Sequence, residues 1–398
     1  MRSRIPAVLA AAALAVAAAS IGIGGTASAT SSKVPYVIGT VGSYTGPESS
    51  SLGHVGQVVQ AWAKWVNAHG GINGHQVKLI NKDDNSDPAL SLSEVTSMVE
   101  QDHVIAIVAE NSIVDSAWAS YVQQKGVPVI GSAIFNITYE TNPDFFSPGT
   151  TTIEAVYGTL SAALKLQKKK FGLMYCAEAA ACAQAVPLYQ SLTKKAGIDF
   201  AFDTKVSAYS PNFTAPCLAA KDAGVNVLTA GTDSATAVHI AEDCAAQGYH
   251  PAWVGQDGSV TKAWLSTSAL NGALTAQPVF PYVDQSVPAD KAFHQALDKY
   301  VPSVVKSPSF SENDAEDWAG GMLFVAAAKA GNLGNDPTPA KVLDGLYSLH
   351  NETLGGIVPP LTFHRGQPTK ISCFFFMGVK HGKFTTPYGL KTFCEPPG

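Results

Sequence analysis

The sequence predicts an α/β fold made of two doubly wound lobes. Apolar residues at helical spacing alternate with short runs of strand formers along most of the chain. That rhythm restarts after Phe145-Phe146-Ser147-Pro148-Gly149, which reads as a crossing between two similar halves. The 398 residues exceed an ordinary single domain, and an apolar content of 46% is ample for two cores.

In the first half, residues 36–41 form a strand that ends in the loop Gly42-Ser43-Tyr44-Thr45-Gly46-Pro47, open to a ligand. Val55, Val58, Val59, Trp62 and Val66 recur on one helix face. Gly70-Gly71 ends that helix, and Asn73-Gly74 makes the next turn. Residues 77–80 are a strand that runs into Lys82-Asp83-Asp84-Asn85. Those acids lack the spacing and closing glutamate of a calcium loop and read as a strand end. Asp87-Pro88 supplies an N-cap and a first-turn proline for a helix over 88–100 that buries Leu92, Val95 and Val99. The apolar run 103–109 is a parallel strand stopped by Glu110-Asn111-Ser112. A helix over 113–125 ends at Gly126, and a strand over 127–130 stops at Gly131-Ser132-Ala133.

The second half repeats this. Helices over 153–168, 179–196, 213–223 and 234–247 alternate with strands over 171–175, 200–206, 225–229 and 252–254. Its strand ends carry Cys176, Gly231-Thr232-Asp233 and Gln256-Asp257-Gly258. Residues 279–282 cross back, helices over 290–300, 312–330 and 339–349 join the first lobe, and Gly355-Gly356 makes a third crossing. The tail, with Phe363, residues 373–380 and a turn at His381-Gly382, reads as antiparallel strands. Lobe 1 is then 34–146 plus 282–353, and lobe 2 is 149–279 plus 357–398. Trp62, Trp65 and Trp318 belong to packing.

Residues 1–29 have the form of a secretory signal, with Arg2 and Arg4, an apolar stretch over 6–23, and Ala27-Ser28-Ala29 as cleavage site. Removing them takes two arginines and no acid. The 26 basic residues become 24 against 31 acids, and the net charge moves from −5 to −7. With no basic stripe, nucleic acid is not an expected partner. Arg365 is the one arginine left, so a site that clamps phosphate or carboxylate with paired arginines is hard to build. The six cysteines, Cys176, Cys182, Cys217, Cys244, Cys373 and Cys394, suit an exported protein with disulfides. Of the 15 pairings that six cysteines allow, the sequential one is preferred. All six fall in lobe 2 on this layout, and none follows the signal as a lipid-anchor cysteine would. No metal spacing, nucleotide-binding glycine motif or hydrolase motif occurs, so no cofactor, metal or catalysis is expected.

The segment NAHGGINGHQVKLINKDDNSDP, the small-residue helix AEDWAGGMLFVAAAKAG and the signal together resemble type I periplasmic solute-binding proteins, in particular the leucine/isoleucine/valine-binding branch that feeds ABC importers. The resemblance implies two α/β lobes joined by three crossings, closing by a hinge over a small ligand, with no chemistry of their own. It implies a monomer that presents its closed form to ABC permease subunits. In that branch the loops matching Ser112 and Ser132-Ala133 hold an amino acid's carboxylate, and an acid matching Asp257 holds the ammonium. This chain departs from the pattern at Glu110-Asn111 and in the alanine- and cysteine-rich stretch 177–183. The strand-end loops nominate Ser43, Tyr44, Glu110, Asn111, Ser112, Ser132, Ala133, Asp233, Gln256 and Asp257 as ligand contacts. The expectation is an exported binding protein for an amino-acid-like or amine-bearing solute. A ligand sensor acting on a receptor is the alternative, and an extracellular enzyme a distant third.

Overall fold

The computed structural model describes residues 33–131, 137–178, 180–255 and 259–395. The signal-like stretch therefore lies outside the described residues.

In chain order the first half opens with β1 (Tyr36–Gly42), α1 (Ser49–Leu52), α2 (Val55–Ala68), β2 (Val77–Asp83), α3 (Pro88–Glu100) and β3 (Ile107–Glu110). It continues with α4 (Ala119–Lys125), β4 (Val129–Gly131) and β5 (Phe145–Phe146). These five strands form one parallel sheet in the order β2-β1-β3-β4-β5. The chain then enters α5 (Thr152–Lys165), β6 (Lys170–Cys176), α6 (Ala180–Ala196), β7 (Asp199–Val206), α7 (Thr214–Asp222), β8 (Val227–Gly231), α8 (Ser234–Ala246), β9 (Ala252–Gly255) and β10 (Leu274–Gln277). The second sheet repeats the first order as β7-β6-β8-β9-β10, all parallel. After β10 the chain returns for α9 (Pro288–Tyr300), α10 (Pro302–Lys306), α11 (Glu312–Ala330) and α12 (Pro339–Tyr347). It crosses a third time to add β11 (Cys373–Lys380), β12 (Lys383–Thr385) and β13 (Phe393–Cys394) in antiparallel pairing at the edge. Two lobes joined by three crossings result.

Local chemistry explains the elements that matter below. Asn73 and Gly74 both take positive φ and turn the chain between α2 and β2. Asp87 caps α3 by accepting from the N–H groups of Ala89 and Leu90, with Pro88 in the first turn. Ser311 caps α11 in a box with Asp314. Trp62 of α2 lies flat on Gly321 of α11, where a Cβ would sit 2.5 Å from the indole, so only glycine allows the approach. Trp62 and Trp318 are fully buried.

Several boundaries differ from the sequence expectation. β3 begins only at Ile107, after His103, which takes a φ of 53°. Residues 113–118 do not continue a helix; a 3-10 turn over Asp115–Ala117 precedes α4. Leu92 of α3 is 39% exposed rather than buried. Phe363 joins no strand and packs its ring against Phe146 of the first half. The second crossing follows a strand, β10, that the sequence reading did not foresee. Cys176–Cys182, Cys217–Cys244 and Cys373–Cys394 are bonded, the sequential pairing, and all six cysteines sit on elements of the second sheet's lobe.

Candidate functional site

In both sheets the strand order reverses beside the first strand of the lobe, which sets a topological switch point at the carboxyl ends of β1 and β3 and of β6 and β8, where sheets of this kind hold their ligands. Ser43 and Asn111 stand just past β1 and β3, and Asp233 just past β8.

Asp84 organises the first side. It follows β2, whose register with β1 sets Gly42 opposite Asp83. Fully buried, it accepts from the hydroxyls of Ser43 (2.7 Å), Ser91 (2.9 Å) and Ser112. Trp118 Nε1 in turn donates to Ser91 Oγ at 2.9 Å. One carboxylate thus ties the ends of β1, β2 and β3 to α3. Asp83 does the same for the loop after β1, accepting from the N–H groups of Tyr44 and Thr45 and from the Thr45 hydroxyl.

The described N–H groups past β1 and β3 are bonded within the lobe as well. Ser43 N donates to Asn111 O (3.1 Å), Ile113 N to Ser43 Oγ (3.2 Å) and Val114 N to Ser112 Oγ (3.3 Å). Ser112 N donates to Glu110 Oε1 at 2.7 Å, and the Tyr139 hydroxyl donates to Glu110 Oε2 at 2.6 Å. Asn111 Nδ2 donates to Asp317 Oδ1 of α11 at 3.2 Å.

These acids are dry. Glu110 is 0% and Asp317 1% exposed. Burial drives the Glu110 carboxyl well above its usual range, with the Asp115 charge adding to the rise. Burial does the same to Asp317, against the opposing hydrogen bond from Asn111. Asp314, one turn earlier in α11, is pushed by burial to about 7. The Tyr44 ring folds under the loop between Gly42 and Gly56, and its hydroxyl is raised by burial and by the charges of Asp317, Glu110 and Asp84.

The second side reaches the first at the rim. Asp233 caps α8 through the N–H groups of Ala235 and Thr236, and accepts from the Ser50 hydroxyl of α1 at 2.9 Å. Ser234 N donates to Ser51 Oγ at 3.2 Å. Glu48, before α1, rises to about 7 through burial and the facing charges of Asp233 and Glu178. A second bridge joins the backbone of residues 260–263 to the start of α11. Lys262 N donates to Phe310 O (2.8 Å), Ala263 N to Pro308 O (2.7 Å) and Val260 N to Glu312 Oε1 (3.2 Å).

Of the residues nominated from sequence, Ser43, Tyr44, Glu110, Asn111 and Ser112 come together in one shell, and Asp233 stands across the rim from α1. Ser132, Ala133, Gln256 and Asp257 lie outside the described residues. Sequence reasoning missed Asp84, Ser51 and Asp317. The available signal for Asp317 was an acid-rich start, Glu312, Asp314, Glu316 and Asp317, on an otherwise apolar helix. Among the described residues no group of three or more His, Cys, Asp or Glu is placed to hold a metal ion. None of their helices is long and apolar enough to cross a membrane.

Residues 35–383 match the family model described as periplasmic binding protein. An amino acid binding protein of Pseudomonas aeruginosa is 36% identical over 72 residues, a match spanning 18% of this chain and 19% of that protein. Among solved structures, a branched chain amino acid ABC transporter protein from Thermus thermophilus with bound valine superposes with a TM-score of 0.81 at 17% identity, covering 91% of this chain and 97% of its own. A solute binding protein of an ABC transporter from R. palustris in complex with 4-hydroxybenzoate gives a TM-score of 0.72 at 17% identity, over 91% and 98% of the two chains. A possible leucine/isoleucine/valine-binding protein from Rhodopirellula baltica gives 0.76 at 14% identity, over 89% and 96%.

Proposed function

The chain belongs to the periplasmic binding protein family, and from that premise we propose that it is the exported solute-binding component of an ABC importer, taking up a small amine-bearing ligand. The ligand is held between the lobes, and the closed form is what the membrane permease subunits engage. One observation carries the ligand class. Asp84, Glu110 and Asp317 are buried at the strand ends, and no ion pair among the described residues involves any of them. By sequence, the stretches 132–136 and 256–258 that follow β4 and β9 contain no lysine, arginine or histidine and one acid, Asp257. A buried carboxylate without a counter-charge is costly, and a bound ammonium offsets that cost.

Closure follows from the rim contacts. Opening the lobes breaks the Ser50–Asp233 and Ser51–Ser234 bonds, and a ligand favours the closed state only by its extra contacts there. Calorimetric titration of the protein with primary amines, amino acids, aromatic acids and sugar phosphates tests the reading. Amines or amino acids are expected to bind in the micromolar range or tighter, and tight binding of a phosphorylated compound alone refutes it.

A further inference from the structure

Read along the chain, the lysines of the second half form no basic stripe, but the fold builds one. Helices α5, α6 and α7 run back from the carboxyl to the amino ends of the strands, away from the candidate ligand site. Each ends on lysine: Lys165, then Lys194 with Lys195, then Lys221. Lys168 and Lys169 fill the turn out of α5, and Lys170 begins β6. Backbone bonds tie these ends together. Asp199 N, at the foot of β7, donates to Lys169 O at 2.8 Å, and Asn226 N, just before β8, donates to Lys170 O at 2.9 Å. Leu160 of α5 and Leu192 of α6 belong to one core cluster, Cys217 and Ala220 of α7 to another, so the two sets of helices cover opposite faces of the sheet. The lysines therefore follow a track from α6, over the lower edge of the sheet at β6, to α7.

The track keeps its charge. Lys168 is half-buried and the other six lysines are exposed. Lys195 pairs with Glu395 at 2.8 Å; among the described residues no ion pair involves the rest. The ammonium groups of Lys170 and Lys221 donate to the carbonyl oxygens of Ala223 (3.4 Å) and Gln247 (3.1 Å), which leaves them positive. The acids at this end are Asp199, Asp222 and Glu395, and the whole chain carries −5. A helix dipole favours a lysine in each last turn but does not ask for the run 168–170 beyond it. The opposite ends of β6 and β8 lead to acids instead, Glu178 and Asp233.

We propose that this track binds a linear polyanion, a chain of repeated phosphate or sulfate groups, at the end of the second lobe opposite the ligand site. Lysine ammonium groups are compact point charges that meet successive anions without fixed bidentate geometry. A track that bends from one face of the sheet to the other suits a flexible chain better than the plane of a bilayer. The acidic remainder of the surface repels a polyanion, which confines contact to this end. A protein held there keeps its strand-end site free.

Long-chain inorganic polyphosphate is the probe, titrated into the purified protein at 50 and 200 mM NaCl. With roughly 0.7 counterions released per contact, four contacts lose about 50-fold in affinity over that range. Lys169→Gln/Lys194→Gln/Lys221→Gln removes one charge from each part of the track and should weaken polyphosphate at least tenfold, with the melting temperature unchanged. Lys64→Gln/Lys291→Gln/Lys329→Gln removes the same charge from exposed positions of the first lobe and should change the affinity less than twofold. Equal losses in the two triple variants, or no polyphosphate binding at 50 mM NaCl, overturn the proposal. So does sedimentation with phosphatidylglycerol vesicles by a protein that ignores polyphosphate, which would make the partner a bilayer.

Discussion

Removing the carboxylate of Asp84 is expected to loosen the whole strand-end region of the first lobe. In Asp84→Ala the hydroxyls of Ser43, Ser91 and Ser112 lose their acceptor in a fully buried space, and Ser86 N loses a turn bond. A hydrogen bond to a charged acceptor contributes about 1.5–3 kcal/mol, and three that share one acceptor are not additive. Deleting the charge also removes its own desolvation cost, so the expected loss is about 3–5 kcal/mol. With an unfolding entropy of about 2.1 cal/mol/K per residue, that is a fall of roughly 4–6 °C in the melting temperature for a chain of this size. Ser43→Ala, which removes one hydroxyl, should cost about 1 kcal/mol. Differential scanning calorimetry reads both, and the double variant Asp84→Ala/Ser43→Ala should lose less than the two singles together. Strict additivity, or an Asp84→Ala shift under about 1 °C, would mean that the hydroxyls find other partners and that Asp84 is not the hub.

Asp314 gives the stability a pH dependence. Burial raises it from 3.8 to about 7, so its contribution is fully present below pH 3.8 and is lost as pH rises through 7. The melting temperature should therefore be lower at pH 8 than at pH 5.5, and Asp314→Asn should flatten that slope; an unaltered slope contradicts the assignment. Cys217–Cys244 closes a 27-residue separation between α7 and α8, for which the chain-entropy model gives about 3–4 kcal/mol. Replacing both cysteines by alanine should speed amide exchange in α7 and α8 while the strands of the first sheet keep their protection, and uniform loss across both lobes would show that the lobes unfold as one unit. Asp233→Ala removes an N-cap worth about 1 kcal/mol together with the bond from Ser50. Small-angle scattering of the ligand-free variant should show a larger radius of gyration than the parent, and an identical curve would remove Asp233 from the rim contact.

The alternation of elements is legible because it is written locally, in the 3.6-residue face of α2 and the capping pairs Asp87-Pro88 and Ser311–Asp314. What fails is decided by local backbone conformation or by distant partners. β3 starts at Ile107 rather than at His103, which takes a φ of 53° after the polar run Glu100-Gln101-Asp102. β10 has four residues with little strand preference, Leu274-Thr275-Ala276-Gln277, and exists because β9 and β11 flank it. The site divides in the same way. Strand-end reasoning finds Ser43 and Ser112, since any doubly wound sheet presents those positions. It does not find that Asp84 binds both, because that depends on the pairing of β1 with β2 and β3. Nor does it find Asp317, whose partner Asn111 is 206 positions away. Helical spacing does set Asn313, Asp317 and Gly320 on one face of α11, and that face meets Ser51, Asn111 and Ala109 in turn.

The same acids couple ligand capture to protons. Glu110 and Asp317 have carboxyl pKa values raised by burial, so before a ligand arrives each holds its proton to a higher pH than an exposed carboxyl does. An ammonium placed beside them favours the charged forms and lowers those values, which releases protons as it binds. The sign is opposite to that of the stability slope. Stability falls as pH rises, whereas affinity for a cation rises, because at higher pH fewer protons must leave. Calorimetric titration with 1,4-diaminobutane in phosphate and in Tris, whose ionisation heats differ, separates the two effects. The apparent binding enthalpy should differ between the buffers in the sense of proton release over pH 6 to 8. Equal enthalpies in both buffers, with an affinity flat over that range, would place the ammonium away from Glu110 and Asp317 and return the choice of ligand to the residues beyond β4 and β9.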